Sequence, residues 1–210
     1  MKHFFRTPDE FTPIENAALA NCRRQVLDIG AGSGIHSLVL QSRGLEVTAI
    51  DISSEAVSIM KERGVLVALR ADIFSYEGGP FDTLLMLGHG IGIAGDIDGL
   101  DKFLVNAHNL INRNGQILLD SMDVRKSTDS KNLAYHQANR QSGHYIGETR
   151  FRMEFQGITG PVCNWLHIDP KTLDMHAAKA GWRCKILFEQ EDGEDLACLY
   201  KNNELGLIPE

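Results

Sequence analysis

The sequence predicts a three-layer α/β fold, with a mostly parallel sheet of seven strands and helices on both faces. Short apolar runs alternate with amphipathic helical patterns from residue 25 to residue 119, which is typical of parallel strands joined by right-handed crossovers. The first apolar run ends in a glycine-rich turn. Near the C-terminus, Asp192-Gly193 separates two further strand patterns, as in a tight hairpin. We therefore expect one antiparallel strand at the C-terminal end of the sheet.

The first five strands and the helices between them follow in order along the chain. Residues 34–43 have helical spacing, Ser53 can cap a helix that Gly64 ends, and a long amphipathic helix runs from Ile97 to Ile111. Phe81–Leu87 is almost wholly apolar, as in a strand covered on both faces. The five predicted strands are Gln25–Ile29, Leu45–Ile50, Val65–Leu69, Phe81–Leu87 and Gln116–Leu119.

The C-terminal part of the chain supplies the remaining elements. Asp169-Pro170 is a strong helix start, because a capping residue precedes a proline at the first helical position. The strands Arg183–Glu189 and Glu194–Lys201 follow. Residues 122–168 form an insertion after the fifth strand, with a polar helix at 128–141 and strand-like stretches at Tyr145–Phe155 and Pro161–Ile168. We interpret residues 1–210 as a single domain.

Composition and charge restrict the classes of partner. Lysine plus arginine number 21 against 28 aspartates and glutamates, a formal net charge of −7, so nucleic acid and anionic membranes are disfavoured. The four cysteines are widely spaced and form no C-x-x-C pair, which argues against a metal site and a disulfide framework. No apolar run has the length of a signal peptide or a membrane helix. These features predict a cytoplasmic protein that acts on small molecules.

The strongest local motif is Val26–Gly34, in which a strand leads into Gly30-Ala31-Gly32-Ser33-Gly34. Such a turn at a helix N-terminus lets a ligand lie directly on the backbone. The dinucleotide fingerprint requires Gly or Ala at position 35, where this chain has Ile35. Asp51 ends the second strand, 21 residues after Gly30, and a carboxylate there can accept both hydroxyls of an adenosine ribose.

These motifs together resemble those of the class I S-adenosylmethionine-dependent methyltransferases. The resemblance covers residues 14–121 well, and the C-terminal helix and strand pair fit the antiparallel seventh strand of that Rossmann-like fold. Its cofactor would be S-adenosylmethionine. The segments that carry the resemblance are Val26–Gly34, Val47–Asp51, Ala71–Ile73, Phe81–Gly90 and Leu110–Asp120.

The resemblance implies a role for each motif residue. The methionine part of the cofactor would lie on the glycine-rich turn, the ribose and adenine beside the second and third strands, and the sulfonium beyond the fourth. Asp28 could instead stabilise the turn, and Asp72 could be a simple cap. The implied cofactor-binding residues are Asp28, Gly30, Ala31, Gly32, Asp51, Ile52, Asp72, Ile73, Leu87 and Gly88.

The acceptor is predicted to be a small-molecule O, N or S nucleophile. Leu87-Gly88-His89-Gly90 replaces the Asn/Asp-Pro-Pro-aromatic tetrad that marks methylation of bases and exocyclic amides. His89 follows the fourth strand and is the candidate general base, because histidine titrates near neutrality; the alternative is a histidine that only hydrogen-bonds within its loop. Asp120 and Asp123 are read as strand-end or loop groups.

The insertion and the N-terminus are predicted to shape the acceptor site. Trp165 and His167 share one face of a strand, and Tyr145 lies in the same insertion. A core role for Trp165 is the competing interpretation. Residues 1–13 could form a lid in which Arg6 meets the cofactor carboxylate, or a frayed terminus.

Two other functions fit parts of the sequence. An NAD(P)-dependent oxidoreductase could use a similar sheet, but Ile35 and the antiparallel strand pair count against it, and no Tyr-x-x-x-Lys pair is present. A noncatalytic module that binds adenosylmethionine would have the same cofactor motifs. Methyl transfer relies on proximity and alignment, so it leaves little catalytic signature with which to distinguish them.

Overall fold

The computed structural model of the chain describes residues 5–202. Strands and helices alternate through the first half, and a helix and a hairpin interrupt that order before the C-terminal elements. The helices are Pro13–Asn21 (α1), Ile35–Ser42 (α2), Ser54–Glu62 (α3), Ile97–Leu110 (α4), Ser130–Gln141 (α5) and Pro170–Lys179 (α6). The strands are Gln25–Ile29 (β1), Glu46–Asp51 (β2), Val67–Arg70 (β3), Phe81–Met86 (β4), Ile111–Met122 (β5), Glu148–Phe155 (β6), Ile158–Leu166 (β7), Trp182–Glu189 (β8) and Glu194–Lys201 (β9).

The main sheet has seven strands in the order β3-β2-β1-β4-β5-β9-β8. The first five strands pair in parallel. β9 runs antiparallel to both β5 and β8, which confirms the predicted fold class. The strand order reverses between β1 and β4, and ligands of open α/β sheets bind at such a switch point, outside the carboxyl ends of the strands.

Both faces of the sheet are covered by apolar helix surfaces. Along β5, Ile117 and Leu119 pack into the cluster that contains Phe103 of α4 and Leu173 of α6. Leu118 points to the opposite face and packs with the cluster of α1 and α2. This alternation explains why the central strands read as continuous apolar runs.

Two elements differ from the sequence-based expectation. The helix α1 was not predicted; Thr12 caps it in a capping box with Glu15, and Pro13 occupies its first turn. The strand β5 begins at Ile111 and is longer than the predicted Gln116–Leu119. Its register against β4 shifts between Phe81 and Thr83, and Gly115 lies inside the strand.

The insertion folds as predicted into a helix and two strands. α5 is polar and buries only His136, and β6 and β7 pair antiparallel in a separate two-stranded sheet. β7 then leads through Ile168 into α6. No helix within residues 5–202 combines the length and apolar character needed to cross a membrane.

Candidate functional site

The glycine-rich turn between β1 and α2 is held against the end of β2. The amides of Gly30 and Ala31 both donate to the carbonyl of Ile50, at 2.9 and 3.1 Å. Gly34 has φ +77°, and a Cβ there would lie 2.7 Å from Val65, so only glycine fits. At Gly32, with φ +58°, a Cβ would meet nothing closer than 4.0 Å, so this part of the turn leaves its backbone open to a ligand.

Asp51 connects this turn to the start of α3. Its Oδ2 accepts a hydrogen bond from the Gly32 amide at 3.0 Å, and its Oδ1 accepts one from the Ser53 amide at 2.8 Å. A carboxylate has about four lone-pair sites, so both oxygens keep capacity for further donors. The neighbouring Ile52 side chain is 70% exposed. The structure therefore places the Asp51 carboxylate next to the exposed apolar side chain of Ile52.

Asp72 and Ile73 follow β3, beside the end of β2. Asp72 is exposed, and its Oδ1 accepts a hydrogen bond from the Phe74 amide at 3.0 Å. Ile73 is buried in the apolar cluster under α4, which leaves its backbone as the part that could meet a ligand. The two predicted adenine residues lie at the same sheet edge as Asp51.

Asp28 is buried beneath the turn, where it accepts a hydrogen bond from the Ser37 hydroxyl at 2.5 Å. Burial raises the pKa of its carboxyl, and the nearby His36 opposes that rise. Asp28 is therefore a buried acid held by α2. Whether it also orients a cofactor amino group stays a prediction.

A network of charged side chains joins the N-terminal segment to α2. The guanidinium of Arg6 bonds Glu15 at 2.7 and 3.0 Å, and Nε2 of His36 lies 2.8 Å from the same carboxylate. Burial alone would raise the pKa of Glu15, but hydrogen bonds from His36, Thr12 and Arg6 lower it to about 2. The sequence motifs did not indicate Glu15 or His36; the Thr12-x-x-Glu15 capping pattern was the available signal.

This network bears on the predicted lid. Residues 1–4, including Phe4, lie outside the described residues. The Phe5 ring lies 5.4 Å from the Arg63 guanidinium, which donates to the Ser33 carbonyl at 2.7 Å. Residues 5–6 are thus linked through side chains to the glycine-rich turn and to α2. Closure over a cofactor by residues 1–13, with Arg6 on its carboxylate, stays a prediction.

His89 has a left-handed backbone that its neighbours hold in place. Its φ is +57°, a conformation that is uncommon for residues other than glycine. Asp120, at the end of β5, accepts hydrogen bonds from the amides on either side, Gly88 at 3.1 Å and Gly90 at 3.0 Å. Leu87 before them is buried in the apolar cluster of α1 and α2. The structure thus gives Asp120 a positioning role that sequence analysis did not assign.

Asp120→Asn is expected to slow turnover about tenfold and to lower the free energy of unfolding by about 1–3 kcal/mol. An amide NH₂ at this position would face one of the two backbone N–H donors, and a buried donor without an acceptor carries that cost. Steady-state kinetics and urea unfolding would measure the two effects. Unchanged kinetics together with unchanged stability would refute the positioning role.

His89 meets the insertion through a second histidine. The rings of His89 and His167 have centroids 5.5 Å apart and an interplanar angle of 74°. Burial, with a smaller effect of His89, lowers the pKa of His167 to about 4, so this imidazole is neutral at pH 7. Nδ1 of each histidine is buried and has no hydrogen-bond partner among residues 5–202.

Trp165 packs on the same segment. A Cβ at Gly92, in the short 3-10 turn Gly90–Ala94, would overlap the indole ring of Trp165. Trp165 and His167 therefore both contact the loop that follows β4. The predicted substrate residue Tyr145 has a different environment: its hydroxyl donates to Asp169 Oδ2 at 2.7 Å and accepts from the Asp169 amide at 3.0 Å, so it supports the cap of α6.

Asp195 at the start of β9 is a buried acid that sequence analysis did not single out. It is 0% exposed, and neither of its carboxylate oxygens has a hydrogen-bond partner within the described chain. Burial, reinforced by the charges of Asp120, Glu189, Asp123 and Asp169, raises its pKa to about 7. The available signal was an acidic residue at a position that alternates with the apolar Ala197 and Leu199.

The chain is similar to known methyltransferases in sequence and in structure. A family model described as a methyltransferase domain matches residues 26–115. A SAM-dependent methyltransferase from Bacteroides fragilis, solved in complex with S-adenosyl-L-homocysteine, is 36% identical, with a TM-score of 0.82 over 95% of this chain and 81% of that one. No curated protein matches the chain.

More distant solved structures share the fold. The sugar N-methyltransferase KedS8 from Streptoalloteichus sp ATCC 53650 is 14% identical, with a TM-score of 0.66 over 96% of this chain and 92% of that one. The glycopeptide N-methyltransferase MtfA, complexed with S-adenosylhomocysteine, is 13% identical, with a TM-score of 0.64 over 91% of each chain.

Proposed function

The chain belongs to the S-adenosylmethionine-dependent methyltransferases, and we propose that it transfers the methyl group to an O, N or S nucleophile of a small molecule. The cofactor is S-adenosylmethionine, which supplies a methyl group already activated on a positively charged sulfur. The observation that carries the proposal is the position of His89, which follows β4 and meets His167 of the insertion.

The residues at the switch point fit the cofactor. Gly30, Ala31 and Gly32 would hold its methionine part on the open backbone of the turn, and Asp51 would accept the ribose hydroxyls. The exposed side chain of Ile52 offers an apolar surface for one face of the adenine. Asp72 and the backbone of Ile73 would meet its edge, and Leu87 and Gly88 would lie on the sulfonium side. Membership of the methyltransferase family excludes the oxidoreductase alternative.

The remaining chemistry consists of alignment, exclusion of water and removal of one proton. Because the leaving group is already activated, proximity and a dry pocket supply most of the rate. His89 would accept the proton that an acceptor hydroxyl, thiol or amine loses. Trp165 and His167 would cover the acceptor from the side of the insertion, and Asp120 would hold the loop of His89.

Several features support a small acceptor. The chain carries a formal net charge of −7, which disfavours a polyanion as substrate. Leu87-Gly88-His89-Gly90 replaces the tetrad found in enzymes that methylate bases and exocyclic amides. Two neighbours with the same fold are named as sugar and glycopeptide N-methyltransferases, although a shared fold at that identity does not carry the acceptor with it.

The first test is calorimetric titration with S-adenosylhomocysteine, with NAD as the control, followed by an acceptor panel. We expect micromolar affinity for S-adenosylhomocysteine alone. The panel would contain small alcohols, thiols and amines beside a total protein and a total RNA preparation, with S-adenosylhomocysteine formation as the signal. Transfer only to protein or RNA would refute the small-molecule proposal, and tight cofactor binding without transfer to any acceptor would favour the noncatalytic alternative.

A further inference from the structure

Acidic side chains cluster beside the loop of His89. Four carboxylates raise the pKa of Asp195. They lie at the end of β5, in the turn that follows β5, at the cap of α6 and at the end of β8. Glu194 precedes Asp195 on β9, and its Oε1 lies 3.9 Å from Nε2 of His89. The four are Asp120, Asp123, Asp169 and Glu189.

The neighbouring cations do not neutralise Asp195. Arg125 bonds Asp123 at 2.8 Å and Asp169 at 3.0 Å, and Lys126 bonds Glu189 at 2.9 Å. Asp120 is occupied by two backbone amides. Both oxygens of Asp195 remain without a partner among residues 5–202. A buried carboxylate without a partner is costly, and the pKa of Asp195 is accordingly raised to about 7, so this acid becomes fully ionised near pH 7 only beside a cation.

The other buried polar side-chain atoms that have no hydrogen-bond partner in residues 5–202 lie at the same end of the sheet. The buried side-chain atoms without a partner in residues 5–202 are the two oxygens of Asp195 and Nδ1 of His89 and His167. His89 follows β4, His167 follows β7, and Asp195 begins β9. A neutral imidazole nitrogen can accept a hydrogen bond, and His167 is neutral at pH 7 because burial lowers its pKa to about 4. These groups suit a ligand that donates hydrogen bonds and carries positive charge.

We propose that the methyl acceptor is a small primary or secondary amine that arrives as an ammonium ion, and that the unpaired carboxylate of Asp195 draws it to the site. This inference rests on the proposed function and names its substrate class. An ammonium group supplies several N–H donors and a positive charge, whereas a carboxylate or phosphate on the substrate would be repelled by the same acids. Asp195 is 0% exposed, so its charge acts on a nearby cation more strongly than it would in bulk solvent.

The methyl transfer requires His89 as proton acceptor, the amine and the sulfonium. The ammonium gives one proton to His89, and the freed nitrogen lone pair forms the new N–C bond as the C–S bond breaks. The sulfur keeps the electron pair of the broken bond, so the positive charge passes from sulfur to nitrogen. The product is a methylated ammonium ion, which leaves with the thioether.

The pKa of Asp195 provides a second signature of amine binding. Burial and the surrounding acids raise that pKa to about 7 in the free protein. A bound cation favours the ionised carboxylate, so amine binding near pH 7 should release a proton from Asp195. Calorimetry in two buffers of different ionisation enthalpy would detect this release. The titratable groups coupled to Asp195 are Asp120, Asp123, Asp169, Glu189 and Cys184, and the cations that bind these acids are Arg125 and Lys126.

The test compares Asp195→Asn with Asp98→Asn, which removes the same charge from an exposed position on α4. The probes are benzylamine and glucosamine, each with its alcohol counterpart, benzyl alcohol and glucose. We expect the native protein to methylate an amine and neither alcohol. Asp195→Asn should raise the KM for that amine at least tenfold and abolish the linked proton release, while Asp98→Asn behaves as the native protein does. The ratio of the affinities for S-adenosylmethionine and S-adenosylhomocysteine should be the same in Asp195→Asn as in the native protein.

Three results would overturn the inference. Methylation of the alcohols in preference to the amines would exclude an amine acceptor while leaving the small-molecule proposal intact. Absence of methylation of either amine, with normal binding of S-adenosylhomocysteine, would also exclude it. A changed ratio of the two cofactor affinities with an unchanged amine KM would assign Asp195 to the sulfonium instead. Removal of a buried acid that has no partner among residues 5–202 should not impair folding, and Asp195→Ser provides a second variant with the same expected kinetics.

Discussion

Asparagine in place of His89 is expected to slow methyl transfer about 10²–10⁴-fold, the range that general acid–base catalysis contributes. The affinity for S-adenosylhomocysteine should stay within about twofold, since the proton acceptor matters in the transfer step rather than in cofactor binding. Single-turnover kinetics with a reactive acceptor would measure the rate, and calorimetry the affinity.

Asparagine is the informative substitution because of the backbone at this position. With φ at +57°, alanine would combine loss of the imidazole with loop strain, whereas asparagine tolerates the left-handed region. His144→Asn is a suitable control, because His144 pairs with Glu148 on the insertion, at 2.9 Å. An unchanged rate in His89→Asn would remove His89 as the base and leave it as a loop residue.

The fold was largely predictable because its signals are local. The strand, glycine turn and helix of residues 25–42 are contiguous, and the hairpin of β8 and β9 is marked by Asp192-Gly193. The helix α1 was missed because its nine residues have no clear amphipathic pattern. Its buried residues Ile14 and Leu19 are recognisable as an apolar face only from their packing against the sheet.

The two halves of the site differ in how much the sequence reveals. The predicted cofactor residues follow directly after β1, β2, β3 and β4, and parallel strands bring their carboxyl ends to one edge. The acceptor half depends on packing between distant segments. His167 meets His89 although 78 positions separate them, and the shared strand face of Trp165 and His167 did not indicate which loop they would cover.

Asp120 and Asp195 illustrate the same limit. An aspartate at the end of a strand is most simply a cap, and only the paired contacts to Gly88 and Gly90 show that Asp120 fixes the loop of His89. Asp195 interrupts an apolar strand face, but its lack of a partner becomes visible only when every neighbouring group is placed.

Loss of the Asp51 carboxylate is expected to have the largest effect on cofactor affinity. Asp51→Ala should weaken binding of S-adenosylhomocysteine by about 1.5–3 kcal/mol, the contribution of hydrogen bonds to a charged acceptor, which corresponds to roughly a 10–150-fold rise in Kd. Calorimetry would measure it, with the exposed acid Asp98→Ala as the control. Equal affinities for the native protein and Asp51→Ala would exclude Asp51 from the ribose.

Asp51→Asn separates the two contributions that the alanine variant combines. The side-chain carbonyl of asparagine can still accept the Gly32 amide, as Oδ2 of Asp51 does at 3.0 Å, but its NH₂ cannot accept a ribose hydroxyl and the charge is lost. If Asp51 binds the ribose, the asparagine variant should lose most of the affinity that the alanine variant loses. Its free energy of unfolding should fall by about 1 kcal/mol, because the NH₂ then faces the Ser53 amide, which Oδ1 of Asp51 accepts at 2.8 Å. If Asp51 only shapes the turn, asparagine should restore near-native affinity, because the contact that it preserves would then be the one that matters.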